Sequence, residues 1–147
     1  MDNDVALEPI DDQGSRRVAF TCNGIRVIVM DSVSFALPAD RGHVIVTGSH
    51  GGASAGEYAA RILPLITVSS DAGFGKRDAG IRGMAALDAH DAAALCVSHA
   101  SSRIGDGENL WAEGIISYAN KTASALGFSI GTRLQDEIIA YLERRGA

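Results

Sequence analysis

The sequence predicts an α/β fold, a three-layer sandwich around a mostly parallel sheet of about five strands with an N-terminal β-hairpin at one edge. From residue 43 onward a unit recurs: a short apolar run, a polar loop bearing glycine, then a helical stretch. Strands alternating with helices of about ten to fifteen residues imply parallel crossovers. Upstream, the β-rich runs Arg17–Cys22 and Ile25–Asp31 flank Asn23-Gly24. That dipeptide is the strongest short hairpin signal, because a type I′ turn needs positive φ at both central positions.

The elements follow in order. Residues 1–16 carry Asp2, Asp4, Glu8, Asp11 and Asp12 with no apolar period and read as a solvated arm, leaving 17–147 as one domain. Pro38, Asp40 and Gly42 mark 32–42 as a connection. His43–Thr47 is a strand leading into Gly48-Ser49-His50-Gly51-Gly52 and a helix over 53–62, which Leu63-Pro64 stops because proline cannot continue the ladder. Leu65–Ser69 is the next strand, Ser70–Arg77 its loop, and 78–90 its helix, with Asp78 at the N-cap and Ile81, Met84, Ala85 and Leu87 as the apolar stripe. Ala92–Val97 is the third such strand. Its loop is Ser98–Glu108, and a helix over 109–126 aligns Trp111, Ile115 and Ala119 before Gly127 at C′. A last helix, 132–145, puts Leu134, Ile138, Tyr141 and Leu142 on one side.

Composition narrows the function classes. The 147 residues suit one core, and 46% apolar with 21% charged residues is ordinary globular usage. A net charge of −5 disfavours nucleic acid and anionic lipid as partners. No apolar run approaches the ~20 residues of a membrane span, and the first residues are acidic where a secretory leader is basic and then apolar. Cys22 and Cys96 each lie in an apolar strand-like run and fit buried free thiols of a reducing compartment, so a cytoplasmic location is expected.

Chemistry is expected at the loops that follow the three repeating strands. Parallel strands send those loops to one edge of the sheet, where open α/β sheets bind ligands and helix N-termini expose N–H groups. Ten of the 17 glycines fall between 48 and 107. Gly48–Gly52 has the Gly-x-X-x-Gly spacing of a nucleophile elbow, with His50 where a hydrolase carries serine; it matches neither the P-loop nor the dinucleotide fingerprint. His50 and His99 are the candidate acid–base pair, and Asp71 or Asp106 would orient an imidazole. Asp71 also suits a turn, and Asp106 also suits a structural ion pair with Arg103. Lys76 and Arg103 are candidates for gripping an anion; Lys76 and Arg77 at a helix start oppose the helix dipole unless an anion lands there. Ser49, Ser98, Ser101 and Ser102, with the backbone of Gly48, Gly51 and Gly52, complete the candidate substrate contacts, and any of those serines would serve as a nucleophile beside a histidine. Gly80 and Gly83, one turn apart, suit close packing. His50, His99 and a carboxylate make a conceivable metal set, but no local metal motif supports it, so no metal or other cofactor is expected.

The strings GSHGG, DAGFGKRDAGI and SHASSRIGDG, across about residues 28–128, resemble a set of small bacterial α/β proteins with similarly spaced segments and no established activity. The resemblance implies a shared fold and a shared site, and no reaction. The expected function is a small enzyme with hydrolase- or lyase-like acid–base chemistry on an anionic metabolite. The alternative is a non-catalytic module binding an anion or nucleotide. The long aromatic-bearing helix at 109–126 further suggests a homo-oligomer.

Overall fold

The computed structural model describes residues 16–146. The acidic arm therefore lies outside the described residues, except that Arg16, expected within it, is the first residue of a strand. That strand, β1 (Arg16–Cys22), pairs antiparallel with β2 (Ile25–Met30). Asn23 and Gly24 join them with φ of 53° and 82°, the positive pair a type I′ turn demands. β3 (Val44–His50), β4 (Ile66–Ser70) and β5 (Ala93–Val97) continue the sheet in parallel from β2. β6 (Ile116–Ala119) closes it antiparallel to β5, so the six strands stand in chain order. The sheet is mixed, with three parallel and two antiparallel pairings, rather than five mostly parallel strands.

The sixth strand interrupts the helix expected over 109–126. α3 (Gly107–Glu113) ends at Gly114, whose N–H donates to Leu110 O at 2.9 Å. Ile115 and Ile116, both β-branched, then favour extended chain. Asn120 restarts the helix as N-cap of α4 (Lys121–Ala125), accepting Ala123 N–H at 2.9 Å. Gly127 follows with φ of 100°, the left-handed residue expected after the last turn. Trp111 is buried within this chain, and α3, β6 and α4 replace the long aromatic-bearing helix at 109–126 that suggested an oligomer.

The helix expected over 78–90 is also broken, into a 3-10 turn at Lys76–Asp78, α2 (Arg82–Ala86) and a second 3-10 turn at Leu87–His90. Asp78 has φ of 58° and caps nothing. The cause is a backbone-to-backbone approach. A Cβ on Gly80 would collide with Asp71 O, and one on Gly83 with Gly52 O. Gly83 N–H donates to Gly51 O at 2.8 Å, and Met84 N–H approaches the same oxygen at 3.3 Å. The first amides of α2 are thus occupied by the chain itself. Lys76 and Arg77 precede that helix by several residues, and the conflict with its dipole that suggested an anion there is absent.

α1 (Ala53–Ile62) and α2 cover one face, where Ile28, Met30, Ile45, Ala94 and Cys96 meet Ala55, Ala59 and Met84. α3, α4 and α5 (Leu134–Arg145) cover the other, where Val27, Val46, Val68 and Leu95 meet Leu110, Ala123, Ile138 and Leu142. The four residues expected on one side of the last helix, Leu134, Ile138, Tyr141 and Leu142, are all buried. The crossovers that join β3 to β5 both lie on the α1–α2 face, and successive right-handed crossovers on one face step the same way, hence the sequential strand order. Arg16 and Asp40 fasten β1 to the connection through a buried two-bond pair, Nη1 to Oδ2 at 2.9 Å and Nη2 to Oδ1 at 3.0 Å.

Both cysteines are free thiols. Cys96 is fully buried, and burial pushes its thiol up to about 12. A maleimide is expected to label one thiol, Cys22, in the native protein and two in denaturant; mass spectrometry after brief labelling at pH 7 checks this. Asp88 gives a pH prediction. Partial burial raises its pKa, but the Thr122 and Lys121 donors at the start of α4 outweigh that and hold it below the ordinary carboxylate value. Its unfolded form therefore takes up protons first as pH falls, and its contribution, present above the unfolded pKa, is lost as pH drops through the folded one. Wild type should lose more melting temperature than Asp88→Asn between pH 6 and pH 3, read by calorimetry.

Candidate functional site

All three glycine-bearing loops emerge at one edge, the carboxyl ends of β3, β4 and β5, and backbone bonds hold them together. Gly105 N–H donates to Gly48 O at 2.8 Å, and Gly51 N–H to Ser70 O at 2.9 Å. His99 N–H reaches Asp71 Oδ1 at 3.1 Å. Gly48 is required because the third loop crosses it: a Cβ there would stand 2.6 Å from Gly105 C and 2.7 Å from Asp106 N.

The chain leaves β4 toward the α1–α2 face and leaves β5 toward the α3–α5 face. In open α/β sheets, divergence of neighbouring connections to opposite faces marks the carboxyl-edge position where ligands bind. Asp71 and His99 stand at the starts of these two connections. Asp71 is 3% exposed. Its Oδ1 accepts Gly73 N–H at 2.6 Å as well as His99 N–H, and its Oδ2 accepts the Ser117 hydroxyl at 2.7 Å. His99 Nδ1 lies 3.4 Å from Oδ1, with the imidazole 62% exposed. That approach is not a formed hydrogen bond, since Oδ1 already accepts two backbone N–H groups, but a negative charge beside Nδ1 favours a ring proton on that nitrogen. The arrangement sets an exposed imidazole beside a buried carboxylate.

His50 is placed differently. Its Nδ1 accepts Gly52 N–H at 3.2 Å, which puts the ring proton on Nε2. The ring lines a cavity of about 250 Å³ with Ser32, Ser34, Ser49, Ser54 and Tyr58. Neither Asp71 nor His99 lines that cavity. The two imidazoles therefore share an edge but offer opposite chemistry, an acceptor at His99 and a donor at His50. With β4 between their strands they are about two strand spacings, ~9.5 Å, apart at the backbone.

Most other candidates hold the loops in shape. Ser49 Oγ accepts Val33 N–H at 2.9 Å. Ser98 Oγ accepts Ala100 N–H at 3.1 Å, while Ser101 donates to Ser98 O at 2.8 Å and accepts Ile115 N–H at 3.0 Å. Ser102 is buried with its hydroxyl 3.5 Å from Ser98 O. Asp106 caps α3 through Asn109 N–H at 3.0 Å, and its other oxygen pairs with Arg103 Nη1 at 3.0 Å. The Arg103 side chain is 75% exposed, so that pair contributes less than about 1 kcal/mol. Lys76 is exposed. Gly51 and Gly52 serve the α1–α2 approach.

Two carboxyl-edge residues have no signal in the loops read from sequence. Asp31, at the end of β2, accepts Gly107 N–H at 3.1 Å and fixes the start of α3. Ser117 is hidden because its strand reads as helix; the pair Ile115-Ile116 between Gly114 and Asn120 is the signal that would have exposed it. Among the described residues no three His, Cys, Asp or Glu side chains gather in a metal-holding arrangement, and no helix is long and apolar enough to cross a membrane. No protein-family model, curated protein or solved structure matches the chain.

Proposed function

We propose that the chain is a small cytoplasmic enzyme that uses His99, oriented by Asp71, as a general base on an anionic small molecule, in a hydrolase- or lyase-type step. The observation that carries this reading is the pairing of a buried, three-donor carboxylate with a largely exposed imidazole where the two connections diverge. Ser117 keeps the Asp71 carboxylate fixed, and Lys76 and Arg103 lie on the flanking loops as candidate contacts for the anion. Activation of water, or removal of a proton next to a carbonyl, is what such a base does near neutral pH. A hydroxyl nucleophile is less well supported, because Ser49, Ser98 and Ser101 each accept a backbone N–H.

The test is a turnover screen over p-nitrophenyl acetate, p-nitrophenyl phosphate and a panel of hydroxy and keto acids, run on wild type and His99→Ala. Turnover by wild type that falls about 10²- to 10⁴-fold in His99→Ala, with melting temperature retained, is the expected result. Equal turnover in both proteins removes His99 from the chemistry. Saturable binding of one of those acids with no turnover by wild type favours the non-catalytic module.

A further inference from the structure

We infer that the cavity at His50 is a carboxylate-binding subsite, holding the monoanionic end of the ligand that the same edge accepts. The inference rests on the reading of that edge as a small-molecule site, and it moves His50 from proton transfer to recognition.

The cavity walls differ in which hydrogen-bonding groups they have left to offer. Ser49 Oγ accepts Val33 N–H at 2.9 Å, Ser32 Oγ accepts Ser34 N–H at 3.2 Å, and His50 Nδ1 accepts Gly52 N–H at 3.2 Å. Each of these three acceptors thus already holds a backbone amide, and the Ser32 and Ser34 hydroxyls pair with each other at 2.8 Å, while the Ser49 hydroxyl proton and the His50 Nε2–H stay available as donors. Ser54 and Tyr58 add two more hydroxyls. No carboxylate lines the cavity, so nothing inside competes for those donors. A donor-biased wall selects an oxygen-rich acceptor.

Charge decides which acceptor. No lysine or arginine lines the cavity, and Arg61 meets it only through the Tyr58 ring, its guanidinium carbon 5.0 Å from the ring centroid. The favourable field there comes from a neutral imidazole donor and the first turn of α1, worth about half a positive charge. That complements one negative charge and falls short of the two on a phosphate monoester. At about 250 Å³ the space admits a carboxylate with a few attached carbons.

Amide and imidazole NMR during titration with acetate, inorganic phosphate and, separately, glycerol tests this. Acetate should shift Ser34, Ser54, Ala55 and the His50 ring saturably, with phosphate weaker and glycerol giving no saturable shift. Ser54→Glu, which places a carboxylate in the first helical turn where it is tolerated, should weaken acetate at least about tenfold, and His50→Ala about tenfold, each with a retained amide fingerprint. His99→Ala should leave acetate binding unchanged, so loss of turnover there and loss of binding at His50 report on separate claims. The inference is overturned if acetate shifts none of these residues, if phosphate binds more tightly, if glycerol saturates the same signals, or if Ser54→Glu binds acetate like wild type.

Discussion

Asn120→Ala is expected to cost about 4 kcal/mol of stability. Asn120 is 1% exposed and uses its whole amide group. Oδ1 accepts Ala94 N–H at 3.0 Å and Ala123 N–H at 2.9 Å. Nδ2 donates to Met84 O at 3.2 Å and to Ala92 O at 2.9 Å. One side chain thus joins β5, α2, the chain entering β5 and the cap of α4. Alanine leaves four backbone groups without that partner, at about 1 kcal/mol or more each when buried. In a domain of this size that is a fall in melting temperature of about 10 °C. Asn120→Asp should remain costly, because it keeps the acceptor but turns an anion toward two carbonyl oxygens. Urea denaturation of the three proteins checks both statements; a loss below about 1 kcal/mol in Asn120→Ala would contradict the network.

Asp71→Asn is the second large effect, and it falls on function. The amide oxygen can still accept Gly73 and His99 N–H, and the amide nitrogen can face Ser117, so the loop should keep its shape. The negative charge opposite His99 Nδ1 is gone, and with it the preference for the proton on that nitrogen. Turnover should fall about 10²- to 10⁴-fold while acetate binding at the His50 cavity is retained. Ser117→Ala should lose less, because it removes one of three donors to the carboxylate. Retained turnover in Asp71→Asn would mean that the pair is scaffolding.

The parts of the fold that follow from local chemistry were legible in the sequence. Asn23-Gly24 set the hairpin, Leu63-Pro64 ended α1, and Leu134, Ile138, Tyr141 and Leu142 marked the buried side of α5. The misread stretches are those where a distant backbone decides. α2 starts late because Gly51 O occupies its first amides and because Gly80 and Gly83 let two backbones meet. Single-sequence periodicity over 109–126 suggests one helix, and it takes the cap at Asn120, satisfied by Ala94 across the sheet, to separate strand from helix. At the site, residue types at strand ends located the edge, including His50, Asp71 and His99. Which imidazole faces a carboxylate and which faces an amide depends on side-chain direction, and spacing along the chain carries no such information.

The most direct measurement is the tautomeric state of the two imidazoles, read from ring ¹⁵N shifts in long-range correlation spectra of the native protein at pH 8. His99 is expected to be protonated on Nδ1 and His50 on Nε2, with the His99 preference lost in Asp71→Asn. The same tautomer on both rings, or a His99 preference that survives in Asp71→Asn, would contradict that assignment.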